Sequence, residues 1–123
     1  MPPPDNQTSG KHGEDLAADA LLKLGYAIVA RRHRTRYGEI DIIAKDEDVL
    51  VFVEVKARRS DRFGTAAESV SAWKQRRIAA MALDYLNRTR RPDAPCRFDV
   101  VAIDGLGSDQ TIINVIKDAF VVD

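Results

Sequence analysis

The order of amphipathic and β-branched segments is the feature that most constrains how this chain folds. Apolar residues recur at helical spacing over residues 14–24, and a second helix is predicted from Ser71 to about residue 87 or 88. Segments rich in β-branched and aromatic residues predict strands over residues 26–30, 40–44, 49–55, 98–103 and 111–116. The predicted order is therefore αβββαββ, an α/β fold.

The connections between these strands predict how the sheet is assembled. Turn-like sequences at Tyr37-Gly38 and over residues 45–48 separate the first three strands, which favours an antiparallel meander. The second helix lies between the third and fourth strands, and a crossover of this kind makes the two strands it joins parallel. We therefore expect a mixed central sheet flanked by helices.

Length and composition indicate one domain. A chain of 123 residues, 45% of them hydrophobic, suits a single compact core. Residues 1–11 are rich in Pro, Gly and small polar types and predict a mobile tail, which leaves residues 12–123 as the single domain. Cys96 is the only cysteine, so no intrachain disulfide forms, and its apolar surroundings predict a buried structural thiol.

Two observations concern the cellular compartment. The longest aliphatic or aromatic stretch, residues 49–53, is far shorter than the ~20 residues that cross a bilayer. Residues 1–10 lack the basic flank and apolar centre of a secretory signal. We therefore expect no membrane-spanning segment and a cytoplasmic location.

The charge distribution is uneven although the formal net charge is zero. Residues 31–91 contain 15 Lys and Arg against 9 Asp and Glu, a local excess of six positive charges. Basic clusters lie at residues 31–34, 56–59, 74–77 and 88–91. Such clusters are compatible with a phosphate-binding face, although charge clusters alone favour an ordinary solvated surface.

Charged residues interrupt two of the apolar strands at Asp41, Glu54 and Lys56. Alternation of side chains places Glu54 and Lys56 on one face of their strand, and Glu39 and Asp41 share a face by the same rule. In a hairpin that turns at residues 47–48, Asp41 lies opposite Glu54, and Glu39 lies opposite Lys56. Because opposed carboxylates destabilise a hairpin unless a cation separates them, the pattern predicts a divalent metal site.

The chemistry of these residues suits a phosphodiesterase. Asp41, Glu54 and the main-chain carbonyl of Val55 form an oxygen ligand set for Mg²⁺ or Mn²⁺, whereas zinc recruits His or Cys. A lysine at Lys56 can polarise the attacking water or neutralise charge on a phosphoryl oxygen. The alternative is a salt-bridged edge hairpin, in which Lys56 pairs with a neighbouring acid and the acids discourage strand aggregation.

The same two segments carry a resemblance to a known family. Residues 38–44 (GEIDIIA) and 51–58 (VFVEVKAR) resemble the YraN-like family of uncharacterised bacterial proteins. The likeness extends from residue 13 to residue 120, with further matches at Gly13-Glu14, Ala17, Gly25-Tyr26, Phe63-Gly64, Lys74 with Arg77, and residues 97–100 (RFDV). Residues 32–34 depart from the family, which often has an asparagine and an aromatic residue before the arginine.

The resemblance implies a fold and a set of site residues. The family is similar to nucleases of the PD-(D/E)XK superfamily, and in layout to archaeal Holliday-junction resolvases, which implies a restriction-endonuclease-like core. It implies that Asp41 and Glu54 bind the metal and that Lys56 assists the water. Glu14 would reach the site from the first helix, with Glu39 as an auxiliary. Without the resemblance, an acid in the first turn of a helix indicates only stabilisation by the helix dipole.

Residues on the second helix have more than one interpretation. The resemblance implies that Lys74 and Gln75 contact phosphates near the scissile bond, although an exposed helical lysine is common in any protein. Trp73 lies at helical spacing, so we interpret it as a core or interface anchor rather than a base-stacking platform. Arg34 and Arg36 are expected to be solvated and not to read bases.

Three functions remain as hypotheses. The leading one is a Mg²⁺- or Mn²⁺-dependent endonuclease that hydrolyses DNA phosphodiester bonds, with selectivity for branched or junction DNA and with a homodimer presenting two sites. The second is a catalytically silent module that keeps the nuclease fold and binds nucleic acid or takes part in assembly. The third is a structural partner protein, which would show no salt-dependent DNA binding.

Overall fold

The computed structural model describes residues 5–58 and 70–121, with side chains from residue 11 onward. Two helices and five strands follow the predicted order, αβββαββ. The elements are α1 (Asp5–Lys23), β1 (Ala27–Thr35), β2 (Gly38–Asp46), β3 (Val49–Arg58), α2 (Ala72–Arg88), β4 (Cys96–Asp104) and β5 (Ile112–Phe120). The Phe63-Gly64 pair and Arg59 lie outside the described residues, as do residues 1–4.

The sheet is mixed, as the connections predict. Its five strands lie in the order β1-β2-β3-β4-β5. The first three form an antiparallel meander, and β5 is antiparallel to β4. Strands β3 and β4, joined through α2, are parallel. The fold is thus an α/β arrangement consistent with a restriction-endonuclease-like core.

Each helix covers its own cluster of buried side chains, because successive residues of a strand point to opposite faces. On one face Ile42, Val51 and Val53 pack with Leu21 of α1 and with Tyr26. On the other face, buried strand residues pack with α2; they are Ile40, Ile43, Leu50, Phe52 and Val100, against Ile78, Met81, Ala82, Tyr85 and Leu86. The core therefore has two layers, and charged residues at one end of β3 lie between the sheet and α2.

The first helix is longer than the sequence predicts. It begins at Asp5, so residues 5–11, which composition assigned to a mobile tail, have helical backbone. Glycine at positions 10 and 13 weakens a helix by about 1 kcal/mol each relative to alanine, but no proline interrupts the segment after Pro4. The helix can therefore extend back to Asp5 once the later part of α1 packs on the sheet.

Two predicted buried side chains are exposed. Cys96, expected to be a buried thiol, is the exposed first residue of β4, just before that strand enters the core. Trp73 is 61% exposed, so of its two predicted roles, core anchor and interface anchor, the first is wrong and the second stays a prediction. The buried positions of α2 begin at Ile78, more than a turn after Trp73, and the sheet therefore does not cover the indole ring.

Membrane insertion has no support among the described helices. Neither helix in residues 5–58 and 70–121 combines the length and the apolar character that a bilayer span requires.

Candidate active site

Strands β2 and β3 separate at the point where the charged residues begin. Their pairing runs from Asp46 with Val49 to Ile42 with Val53, which is the register predicted from the sequence. Beyond that pair, the backbone N–H of Val55 donates to the Asp41 carboxylate at 2.8 Å. A side chain thus takes the place of a strand carbonyl, and it holds Asp41 against β3.

The two predicted carboxylates lie together. Glu54 is 7% exposed and lies close enough to Asp41 for its charge to act on the Asp41 carboxyl. Burial and then the charge of Glu54 raise the pKa of Asp41 to about 7, against the lowering effect of the Val55 N–H. The negative charge of Glu14 raises this pKa further. The Asp41 carboxyl therefore keeps its proton up to near neutral pH.

Two lysines adjoin the acidic pair. Lys74 Nζ lies 2.5 Å from Oε1 of Glu54. Burial alone would lower the pKa of Lys74, but the hydrogen bond and charge of Glu54 outweigh it and raise this pKa. Burial, followed by the neighbouring Lys74, lowers the pKa of Lys56. Lys74 is therefore the cationic partner of Glu54, and Lys56 is the amine that gives up its proton more readily.

A cavity of about 210 Å³ opens between the sheet and α2 at this point. Its lining residues are Glu39, Asp41, Glu54, Lys74, Arg77, Ile78 and Met81. The N-cap of α2 fixes the start of the helix, since the Ser71 hydroxyl accepts from the Lys74 N–H at 3.2 Å. Lys74 and Arg77, three residues apart, therefore lie on the same side of the helix and reach the same cavity.

Glu39 lines this cavity but does not face Lys56 as predicted. It lies opposite Arg34 of β1, and the Nη2 atom of Arg34 is 3.8 Å from Oε2 of Glu39. The reason is the separation of the strands, since β2 keeps its pairing with β1 out to Gly38 while its pairing with β3 ends at Ile42. Lys56 adjoins the carboxylates without forming part of the cavity lining.

Glu14 lies near the site but is held by arginines from β1. It is 7% exposed, and Arg32 Nε donates to its Oε2 at 2.8 Å, while Arg31 lies 3.8 Å from its Oε1. Oε1 is buried and has no hydrogen bond within the described part of the chain. Glu14 is absent from the cavity lining, although its charge acts on Asp41. The structure thus brings Glu14 close without placing it in the cavity.

Gln75 does not point into the cavity. Its side-chain Nε2 donates to the carbonyl of Val70 at 3.2 Å. The contact secures the backbone that enters α2, and Gln75 is not among the lining residues. The structure therefore separates Gln75 from Lys74, with which it was grouped on the basis of the sequence.

The donor set fits a divalent metal with two carboxylate ligands. Asp41 and Glu54 supply oxygen atoms beside the main chain of Val55, and hard oxygen donors of this kind suit Mg²⁺ or Mn²⁺. The raised pKa of Asp41 marks a place where a cation is favourable. Among residues 5–58 and 70–121, however, no group of three or more Asp, Glu, His or Cys side chains is close enough to hold a metal.

A larger groove lies elsewhere on the molecule. It has a volume of about 490 Å³ and runs between α1 and β5, lined by Leu16, Asp19, Ala20, Lys23, Leu24, Ile113 and Val115. Its walls are mainly aliphatic, and the paired carboxylates are not among them. The smaller polar cavity is therefore the better candidate for catalysis.

Arg77 is a site residue that the sequence analysis did not single out for a role. Its guanidinium lines the cavity, and its Nε is buried without a hydrogen-bond partner in the described residues. The sequence could have indicated this role, because Arg77 follows Lys74 by three residues and so lies on the same face of the helix. The sequence pattern does not predict the ion pair between Lys74 and Glu54, since this pair depends on how α2 is rotated on the sheet.

Comparisons with known proteins identify the family of the chain. The family model described as uncharacterised protein family UPF0102 matches residues 13–103. A UPF0102 protein of Symbiobacterium thermophilum is 50% identical over 111 residues, which are 90% of this chain and 94% of that protein. One of Rhodococcus opacus is 49% identical over 115 residues, 94% of this chain and 98% of the relative. The matched region includes Glu14, Asp41, Glu54, Lys56 and Lys74. The chain therefore belongs to the UPF0102 family, which is the family of the YraN-like proteins that its sequence resembles.

Proposed function

We propose that this protein is a Mg²⁺- or Mn²⁺-dependent endonuclease that hydrolyses DNA phosphodiester bonds. The observation that carries the proposal is the contact between Asp41 and Glu54, two carboxyl groups held together in a cavity next to two lysines. Buried like charges are unfavourable for folding, so their presence favours a use in binding or catalysis.

Each side chain has a chemical task in this proposal. Asp41, Glu54 and the Val55 carbonyl would hold the metal, which when bound supplies an activated water and stabilises charge on the phosphate. Lys56, whose pKa is lowered, is suited to take a proton from the attacking water. The water oxygen forms a bond to phosphorus as the bond from phosphorus to the leaving nucleotide oxygen breaks, and that oxygen takes up a proton from solvent water. Lys74 and Arg77 line the cavity as donors to non-bridging phosphate oxygens.

The finer substrate assignment rests on the family resemblance and on charge. Similarity to archaeal Holliday-junction resolvases extends the proposal to branched or junction DNA. The excess of six positive charges over residues 31–91 supports a polyanionic substrate. A homodimer would bring two such sites to one junction.

Cleavage assays test the proposal. The purified protein is incubated with junction, flapped, single-stranded and duplex DNA, with Mg²⁺, Mn²⁺ or EDTA. We expect metal-dependent cleavage that Glu54→Gln and Lys56→Ala each reduce by at least ~100-fold, in line with loss of a catalytic group. Lys45→Ala, a lysine exposed on β2, serves as the matched control and is expected to cut normally. Equal cleavage by all variants would show that a contaminant or another site is responsible.

One observation favours a second function, a catalytically silent module that binds nucleic acid. Lys74 already neutralises Glu54 at 2.5 Å, and Arg31 and Arg32 neutralise Glu14. These ion pairs satisfy the acids without a metal. If no DNA is cut by any variant and the protein binds DNA with an affinity that falls as salt rises, this second function becomes the better account.

A further inference from the structure

Trp73 is an exposed aromatic side chain beside the candidate active site. It is the only tryptophan in the chain, and 61% of its surface is exposed. It immediately precedes Lys74, whose ammonium contacts Glu54. One exposed aromatic ring is ordinary on a protein surface, and what distinguishes Trp73 is the basic and polar surroundings of its ring.

Arg77 connects the indole ring to the cavity. Its guanidinium carbon lies 5.2 Å from the centroid of the Trp73 ring, and the same side chain lines the cavity with Asp41 and Glu54. The Nε of Arg77 is buried and has no hydrogen-bond partner within the described residues, so its contacts there leave this side chain incompletely satisfied. A ligand that pairs an aromatic group with a nearby anion would satisfy both side chains.

The charge around Trp73 indicates which kind of partner fits. Residues 73–77 (WKQRR) contain three cations, and the first turn of α2 contains no acidic residue. Stacking platforms combined with basic side chains are the usual means by which proteins hold single-stranded nucleic acids. Lys74 is already paired with Glu54. A purely protein contact would still leave Arg76 and Arg77 to be neutralised by the partner, whereas a nucleotide supplies the base and the phosphate together.

We infer that Trp73 stacks on an unpaired nucleobase and that Arg77 binds its phosphate, so that the DNA engaged at this site contains a single-stranded segment. The inference rests on the proposed function for the cleavage step after binding, and it narrows the substrate class to single strands, flaps and forks. Bases inside an intact duplex are paired and stacked on each other and cannot reach the ring.

Fluorescence of the sole tryptophan tests the inference directly. In EDTA, we expect a short single-stranded oligonucleotide to quench Trp73 emission, and we expect much less quenching by a blunt duplex of the same sequence. In anisotropy measurements with labelled DNA, Trp73→Ala should weaken single-strand binding by roughly tenfold or more and duplex binding by less than about twofold. Trp73→Phe should recover part of the loss, because it restores an aromatic face.

The matched control is Leu83→Ala, which removes another exposed apolar side chain from α2. It should bind both DNAs as the unaltered protein does. Absence of quenching, or equal losses for single-stranded and duplex DNA in Trp73→Ala, would overturn the inference. If Trp73→Ala instead changes the oligomeric state and leaves DNA binding intact, the ring is a protein contact and the inference is wrong.

The two proposals fail in different ways. If no metal supports cleavage but quenching and the selective loss in Trp73→Ala are seen, the endonuclease proposal fails and the single-strand site stands. If DNA is cleaved and Trp73→Ala cuts flapped and duplex substrates with unchanged KM and kcat, the endonuclease stands and the role of Trp73 is overturned.

Discussion

The Asp41 carboxylate accepts a hydrogen bond from the backbone N–H of Val55 at 2.8 Å, at the place where β2 stops pairing with β3. The same carboxylate is in contact with Glu54. Asp41 therefore joins β2 to β3 and is also a candidate metal ligand. Substitution by asparagine and substitution by alanine distinguish these two roles.

Asp41→Asn should keep the structure and lose metal binding. The asparagine carbonyl can still accept from Val55, and the amide removes the repulsion from Glu54, so in EDTA this variant should be at least as stable as the unaltered protein. Asp41→Ala leaves the Val55 N–H unpaired and should lower the free energy of unfolding by about 1–3 kcal/mol. Urea unfolding measures both. Thermal stabilisation by Mg²⁺ should disappear in each, and should persist in an Asp84→Asn control.

The ion pair between Lys74 and Glu54 should contribute to stability when no metal is bound. Their side chains are 27% and 8% exposed, so removal of the ammonium leaves a buried carboxylate without its cation. Lys74→Met should lower the free energy of unfolding in EDTA by about 1–3 kcal/mol. Arg88→Met removes a surface pair with Asp84 and should cost about 0.5 kcal/mol or less.

A double variant tests whether the cost comes from the unpaired acid. Adding Glu54→Gln to Lys74→Met should recover most of the lost stability, since the amide carries no charge. If the double variant is as unstable as the sum of the two single variants, the pair contributes through packing rather than through charge.

Local patterning explains why the sequence predicted so much of the acidic pair. Alternation along β2 and β3 depends only on neighbouring residues, and the tight connection between Asp46 and Val49 sets the register that brings Asp41 to Glu54. The parallel pairing of β3 with β4 follows from the intervening α2 in the same way. The order of the elements and the geometry of short segments were therefore sufficient to predict the meeting of Asp41 with Glu54 and the parallel pairing of β3 with β4.

Contacts between distant elements were not predictable by the same reasoning. The partner of Lys74 depends on the rotation of α2 on the sheet, which helical periodicity constrains only to a broad face. The exposure of Trp73 has the same cause, since helical spacing alone did not show that core contacts begin at Ile78. A buried hydrogen bond joins Tyr26 to Asp99 across 73 residues of sequence, and no local pattern reports it.

This hydrogen bond should make stability fall at high pH. Tyr26 donates to Asp99 at 2.8 Å, and burial, then the hydrogen bond with Asp99, raises the pKa of Tyr26 from 10.0 to about 12. Between these values the unfolded chain loses the phenol proton while the folded chain keeps it. The contribution is therefore fully present below pH 10 and is lost as pH rises through about 12.

Tyr26→Phe tests that pH dependence. The variant should be less stable by about 1–3 kcal/mol at neutral pH, because buried Asp99 loses a donor, and its stability should fall less steeply between about pH 10 and 12. Urea unfolding across this range measures the difference. Tyr37→Phe, at an exposed position, controls for general effects of alkali. Parallel pH profiles for Tyr26→Phe and the unaltered protein would contradict the assignment.

The position of Glu14 depends on the close packing of Gly13 against β3. A Cβ atom at Gly13 would lie 3.1 Å from Cβ of Ala57 and 3.9 Å from the side chain of Ile103, so a side chain there would force the helix and the sheet apart by at least a few tenths of an ångström. Gly13→Val should push α1 outward and destabilise the fold by about 1–3 kcal/mol. Since Glu14 is the next residue, its contact with Arg32 at 2.8 Å should weaken too. A chemical-shift change at the Arg32 side chain, beside a lowered urea midpoint, checks both effects. A variant as stable as the unaltered protein, with the Arg32 signal unmoved, would show that α1 is not held at this distance by Gly13.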